Sequence, residues 1–73
     1  MIYPNLEAEM TRAGYDRQDV ARALNVHLST AYRLLEGTRT LSIARAKIIR
    51  DELFPDFRLD YLFDPKPQSM AGK

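Results

Sequence analysis

The chain has 73 residues, no cysteine and no tryptophan, and a formal net charge of +1. That length holds one domain at most, near the size where a single core only just suffices, and without cysteine neither a disulfide framework nor a thiolate metal site reinforces it. No apolar run reaches the ~20 residues of a membrane span, and Met1-Ile2-Tyr3-Pro4 lacks the basic and apolar regions of a signal peptide, so a soluble, cytoplasmic protein with no membrane partner is expected. The small net charge conceals an uneven distribution. Residues 12–50 carry eight basic side chains against three acidic ones, whereas 1–11 carry two acids and no base, and 51–73 five acids against three bases. A basic middle between acidic ends suits a polyanionic partner.

Leu6, Met10 and Ala13 fall at i, i+4 and i+7 and predict an amphipathic helix over 5–13, with Pro4 suited to a first turn, Asn5 as its cap and Gly14 as its stop. A second helix follows, capped by Asp16 with Asp19 three residues on, and with Tyr15 placed to pack on Val20 as a hydrophobic staple. Val20, Ala21 and Leu24 form its buried stripe, and Asn25, which tolerates left-handed backbone, ends it. Only Asn25-Val26-His27 separates it from a third helix over 28–36, whose stripe is Ala31, Leu34 and Leu35 and whose stop is Gly37.

Thr38-Arg39-Thr40 is a polar connection to a fourth helix over 42–53. Ser42 is its cap, Ile43, Ala46, Ile49 and Leu53 are expected to face inward, and Pro55 lies just beyond its end. Asp56 is expected to cap a last short helix holding Leu59, Leu62 and Phe63. From Asp64 to Lys73 there is no period and little to bury, so a domain over 1–63 and a flexible tail over 64–73 are expected. With no internal repeat and no strand-like alternation, the fold class is all-α, built from five short helices.

The centre of the chain, from Arg17 to Leu35, has the pattern of a helix-turn-helix. Two helices crossing through a three- or four-residue turn need small side chains where they touch, which Ala21 and Ala31 supply. Asn25 makes the bend, Val26 plugs the corner, and Leu24, Leu34 and Leu35 anchor the pair. Away from that stripe point His27, Leu28, Ser29, Thr30, Tyr32 and Arg33, with no acid before Glu36. Hydroxyls, a guanidinium and an apolar contact are the groups that read donors, acceptors and thymine methyls in a major groove.

The stretch from Tyr3 to Phe63 resembles the small Cro/cI-type (XRE) repressor domains of bacteria and their phages, particularly short phage-encoded versions. Beyond the central motif, the flanks Tyr3-Pro4-Asn5-Leu6, Leu35-Glu36-Gly37, Phe54-Pro55-Asp56 and Leu59-Asp60-Tyr61-Leu62-Phe63 carry the likeness. It implies a lambda-repressor-like fold and a double-stranded DNA operator as partner. Base contacts would come from Leu28, Ser29, Tyr32 and Arg33, and phosphate contacts from Arg17, Gln18, Thr38 and Arg39. His27 and Thr30 join the phosphate set, because a helix N-terminus carries partial positive charge. The chain departs from the family pattern in having Arg17 where Gln is usual, Asn25 for Gly and Ala31 for Val or Ile. Leu28 and Tyr32 are also bulkier than the polar residues expected there.

One recognition helix reads only a few base pairs, so a homodimer, formed in solution or only on DNA, is expected, with Phe57, Arg58 and Tyr61 as its contact. Phe54, Phe57, Tyr61 and Phe63, four of the seven aromatics, suit a partner surface and are equally suited to closing the core. Leu28 and Tyr32 on an exposed face also suit a protein-interaction module of the antirepressor or antitoxin kind. No catalytic constellation supports an enzyme, and no cofactor or metal is expected: His27 is the only histidine, and Ser29 and Thr30 have no base beside them.

Overall fold

The computed structural model describes residues 1–65, and within them the chain is all-helical with no strand. The helices are α1 (Pro4–Ala13), α2 (Arg17–Leu24), α3 (Leu28–Glu36), α4 (Ile43–Leu53) and α5 (Leu59–Leu62). Their punctuation follows local chemistry. Gly14, Asn25 and Gly37 close α1, α2 and α3 in the left-handed conformation, and Asn25 is the only non-glycine residue there among those described. Asp16 and Asp19 form a reciprocal capping box at the start of α2, and the Ser42 hydroxyl accepts from the Arg45 N–H at the start of α4.

The core draws Leu6 and Met10 from α1, Val20 and Ala21 from α2, Ala31 and Leu35 from α3, Ile49 from α4, Phe54, and Leu62 from α5. Helix α2 packs on α3 and α4, whereas α1 packs on α5 and α5 on α4. The alanines matter to this layout. Ala31 is fully buried and Ala21 nearly so, which lets α2 and α3 approach across a three-residue connection. Each fully buried leucine contributes about 1.5–3 kcal/mol, and four of them (Leu6, Leu34, Leu35 and Leu62) come from three different helices.

Four local expectations are corrected. Asn5 does not cap α1, which starts at Pro4; its side chain is buried, and Nδ2 donates to the Tyr61 carbonyl at 2.9 Å. Ile43 does not face inward: it is 71% exposed, because the inward stripe of α4 begins at Ala46. Asp56 does not cap the last helix. The chain turns at Phe54–Phe57, where the Phe57 N–H reaches the Phe54 carbonyl at 3.1 Å, and α5 starts only after Arg58. Phe63 lies just past α5 rather than within it. Tyr15 packs against the cluster that includes Val20, with its ring edge-on to Phe54 at 5.5 Å.

The start of the chain is also tied down. The Ile2 N–H donates to the Leu35 carbonyl at 2.9 Å, and the Ile2 side chain lies over Gly37. A Cβ at position 37 would stand 3.0 Å from Ile2 Cγ2 on backbone with φ +85°, so glycine answers both a left-handed turn and a close approach there. The expected tail begins within the described chain, where Asp64 is half-buried and its N–H points to the Tyr61 carbonyl at 3.5 Å. Residues 66–73 lie outside the described residues. Among the described residues no helix is long and apolar enough to cross a membrane.

Candidate functional site

The face of α3 opposite its buried stripe is exposed, and it carries the side chains that the sequence singles out as candidates. Ala31, Leu34 and Leu35 fix the helix to the core, which aims Leu28, Ser29, Tyr32 and Arg33 outward, all four exposed. Leu28 and Tyr32 are 47% and 51% exposed. His27 is exposed at the N-cap and makes no side-chain capping bond, so the first turn of α3 meets solvent with no acid in it. Thr30 is half-buried at the margin of this face.

The candidate anchoring residues surround that helix. Gln18 is exposed on the first turn of α2, and Thr38 and Arg39 are exposed after α3. The Arg33 carbonyl organises this second group: it accepts from the N–H groups of Thr38 and Arg39 at 3.1 and 3.3 Å and from the Thr38 hydroxyl at 3.3 Å. Arg39 is thereby held by its backbone while its guanidinium stays outside.

Arg17 is different. Its guanidinium donates to Glu36 Oε2 at 2.6 Å and lies 4.7 Å from the centroid of the Tyr32 ring. It thus links the start of α2 to the end of α3. Its Nε is buried without a partner. Glu36 also meets the amine of Met1 at 3.2 Å, and the Arg17 hydrogen bond, followed by that amine, holds its carboxyl below the usual range against the opposing effect of burial. A phosphate approaching Arg17 must therefore compete with Glu36. Residue-type patterning did not reveal this pairing, since nineteen positions separate the two and nothing local joins them.

The residues expected to form a dimer contact have mixed roles. Phe57 and Tyr61 are half-buried and stack on each other at 6.1 Å, and Phe57 is edge-on to Phe54 at 5.6 Å. The Tyr61 hydroxyl donates to Glu9 Oε2 at 2.7 Å, and Arg12 donates to the other oxygen of the same carboxylate at 2.7 Å. Glu9 is only 6% exposed, and these two donors, the Tyr61 hydroxyl above all, keep its carboxyl below the usual range despite burial; the Tyr61 hydroxyl is raised in turn. Arg58 alone is fully outside, paired through Nε and a terminal nitrogen with Asp60 at 3.2 and 3.0 Å. It borders both a hollow beside Phe57 and Tyr61 and an open apolar groove formed by Ile43, Ala46, Leu59 and Phe63.

Among the described residues no group of histidine and acidic side chains is placed to hold a metal ion. No family model, no curated protein and no solved structure matches the chain.

Proposed function

We propose that the chain is a sequence-specific double-stranded DNA-binding regulator of transcription, acting as a repressor, with α2 and α3 as a helix-turn-helix and α3 lying in the major groove. One observation carries most of the weight. Helix α3 is rigidly seated by three buried side chains, while its outer face offers Leu28, Ser29, Tyr32 and Arg33 with no acid before Glu36. Direct readout needs that combination of a fixed helix and an unsatisfied, uncharged-to-basic face. Arg39, Thr38 and Gln18 stand on either side of α3, where backbone phosphates would be held.

A two-fold pair of copies doubles the bases read and sets half-sites about one helical turn apart. Arg58 and Asp60 give the surface beside α5 both signs of charge, as a self-complementary contact requires, and Ile43, Leu59 and Phe63 give it open apolar area. Ile43→Asp is the variant that probes it, since Ile43 opens α4 and is 71% exposed. It should weaken cooperative binding to a palindromic site and leave the helical fold unchanged.

The deciding experiment is selection of bound sequences from a random duplex pool, followed by affinity measured against salt. A palindromic consensus is expected, with log K falling against log[salt] by about 0.9 for each phosphate that a cation neutralises. Arg33→Ala should relax the base preference and cost about 1–3 kcal/mol. Arg39→Ala should weaken all duplexes alike and flatten the slope by about one unit. No enrichment from the pool, together with a flat salt response, would overturn the proposal.

A further inference from the structure

We infer that α3 reads thymine by its 5-methyl group, through Leu28 and Tyr32, and that Arg17 positions the Tyr32 ring for this contact. The inference rests on the DNA-binding reading and specifies what that face recognises.

Leu28 and Tyr32 stand at i and i+4 on α3, one turn apart on the same side of the helix, and both are about half exposed. They form a short apolar strip flanked by Ser29 and Arg33. A leucine side chain has no atom that donates or accepts a hydrogen bond, so it takes no part in reading the polar edges of bases. The apolar group that base pairs present in the major groove is the thymine methyl. Protein–protein docking is the other general use of exposed apolar side chains. Here the strip lies beside Arg33 and the uncapped, acid-free first turn of α3, surroundings that favour a polyanion over another protein's apolar core.

The ring of Tyr32 is held in place. Arg17 lies against it at 4.7 Å and is itself fixed by Glu36 at 2.6 Å. An exposed tyrosine would otherwise lose rotamer freedom on binding, and this clamp lowers that cost before DNA arrives. Arg17 thus serves the reading face as a positioning residue, which explains why a cation at the start of α2 is spent on a carboxylate instead of being left open to solvent. The two contact points are roughly 6 Å apart along α3, from the 1.5 Å rise per residue. The thymines they select should therefore lie within about three base pairs of each other in each half-site.

The test uses the site recovered from the random pool, with each thymine replaced in turn by deoxyuridine, which removes only the methyl. Two positions per half-site should lose about 4-fold in affinity, the equivalent of ~0.8 kcal/mol per buried methyl-sized group, while the other thymines tolerate replacement. Leu28→Ala should abolish the loss at one of these positions and Tyr32→Ala at the other. Tyr32→Phe should keep it, and Arg17→Ala should reduce it at the Tyr32 position alone. Specific binding that is indifferent to uracil at every position would overturn the inference and leave DNA recognition standing. Equal effects of Tyr32→Phe and Tyr32→Ala would assign that contact to the hydroxyl and overturn the aromatic half. Absence of any duplex binding would remove both.

Discussion

Two clusters in this molecule are built from the same three residue types and behave oppositely. At the α1–α5 contact, Tyr61, Glu9 and Arg12 meet around a carboxylate that is almost completely buried. At the α2–α3 contact, Tyr32, Glu36 and Arg17 meet around a carboxylate at the edge of an exposed face. In the first, the tyrosine hydroxyl donates to the glutamate and its ring packs on Phe57, so ring and hydroxyl are both engaged. In the second, the tyrosine ring is covered on one side by the arginine and half of its surface is left open. Burial decides the outcome. The enclosed carboxylate is satisfied internally and fastens the fold, whereas the open cluster leaves half of the Tyr32 ring exposed.

The contrast breaks most visibly if equivalent leucines are truncated on the two sides. Leu62 is fully buried where α5 closes on the core, and Leu62→Ala should cost about 2–5 kcal/mol in chemical denaturation. Leu28→Ala, on the open face, should stay within about 0.5 kcal/mol of the parent. Comparable losses at the two positions would mean that Leu28 is structural and that the reading face is misassigned.

The carboxylates give a sharper and smaller effect. Glu9→Ala leaves the Tyr61 hydroxyl facing an empty, partly buried site and should cost about 1–3 kcal/mol in the same denaturation assay. Glu36→Ala should disturb stability less and instead change binding. With Arg17 released, the salt slope should steepen by about one unit, while the loosened Tyr32 ring should discriminate thymine from uracil less well. A Glu36→Ala protein that shows the parental slope would indicate that Arg17 never reaches a phosphate.

Acid should weaken the folded state. Glu9 is held below its ordinary range chiefly by the Tyr61 hydroxyl, Glu36 by Arg17, and Asp19 by the Asp16 N–H and then Arg22. The unfolded chain therefore binds protons at these carboxylates more readily than the native one. The stability they contribute is complete above about pH 5 and drains away as pH falls through the lower native values. Urea titrations at neutral and acid pH should show this decline, reduced in Glu9→Gln. At the alkaline end the raised Tyr61 works the other way: its contribution is present below about pH 10 and lost above it.

Local chemistry made much of this molecule legible from residue types alone. Asp16 and Asp19, Asn25, Gly37 and Ser42 each announce a helix boundary through interactions within four residues, and each boundary lies where that chemistry puts it. The outward set on α3 was equally legible, because Ala31, Leu34 and Leu35 leave it only one exposed side. What residue patterning missed depends on contacts far apart in the chain. Asn5 looks like a cap until Tyr61 is brought above it, 56 positions away. Ile43 fits the inward period of α4, but four-residue α5 leaves its side chain open beside Leu59 and Phe63. Arg17 looks like a free cation until α3 carries Glu36 back to it.

The aromatic side chains divide along the same line, with a consequence for spectroscopy. Tyr15, Phe54, Phe57 and Tyr61 form a continuous ladder of ring contacts at 5.5, 5.6 and 6.1 Å, while Tyr3 meets Phe63 separately at 5.3 Å. The chain has no tryptophan, so its near-ultraviolet signals come from tyrosine and phenylalanine alone. Fixed asymmetric packing generates near-ultraviolet circular dichroism, and three of the four tyrosines sit in such packing. Tyr32, half exposed against Arg17, is the exception. The protein therefore carries two separable optical reporters without any label: the ladder follows tertiary structure, and Tyr32 follows the exposed face of α3.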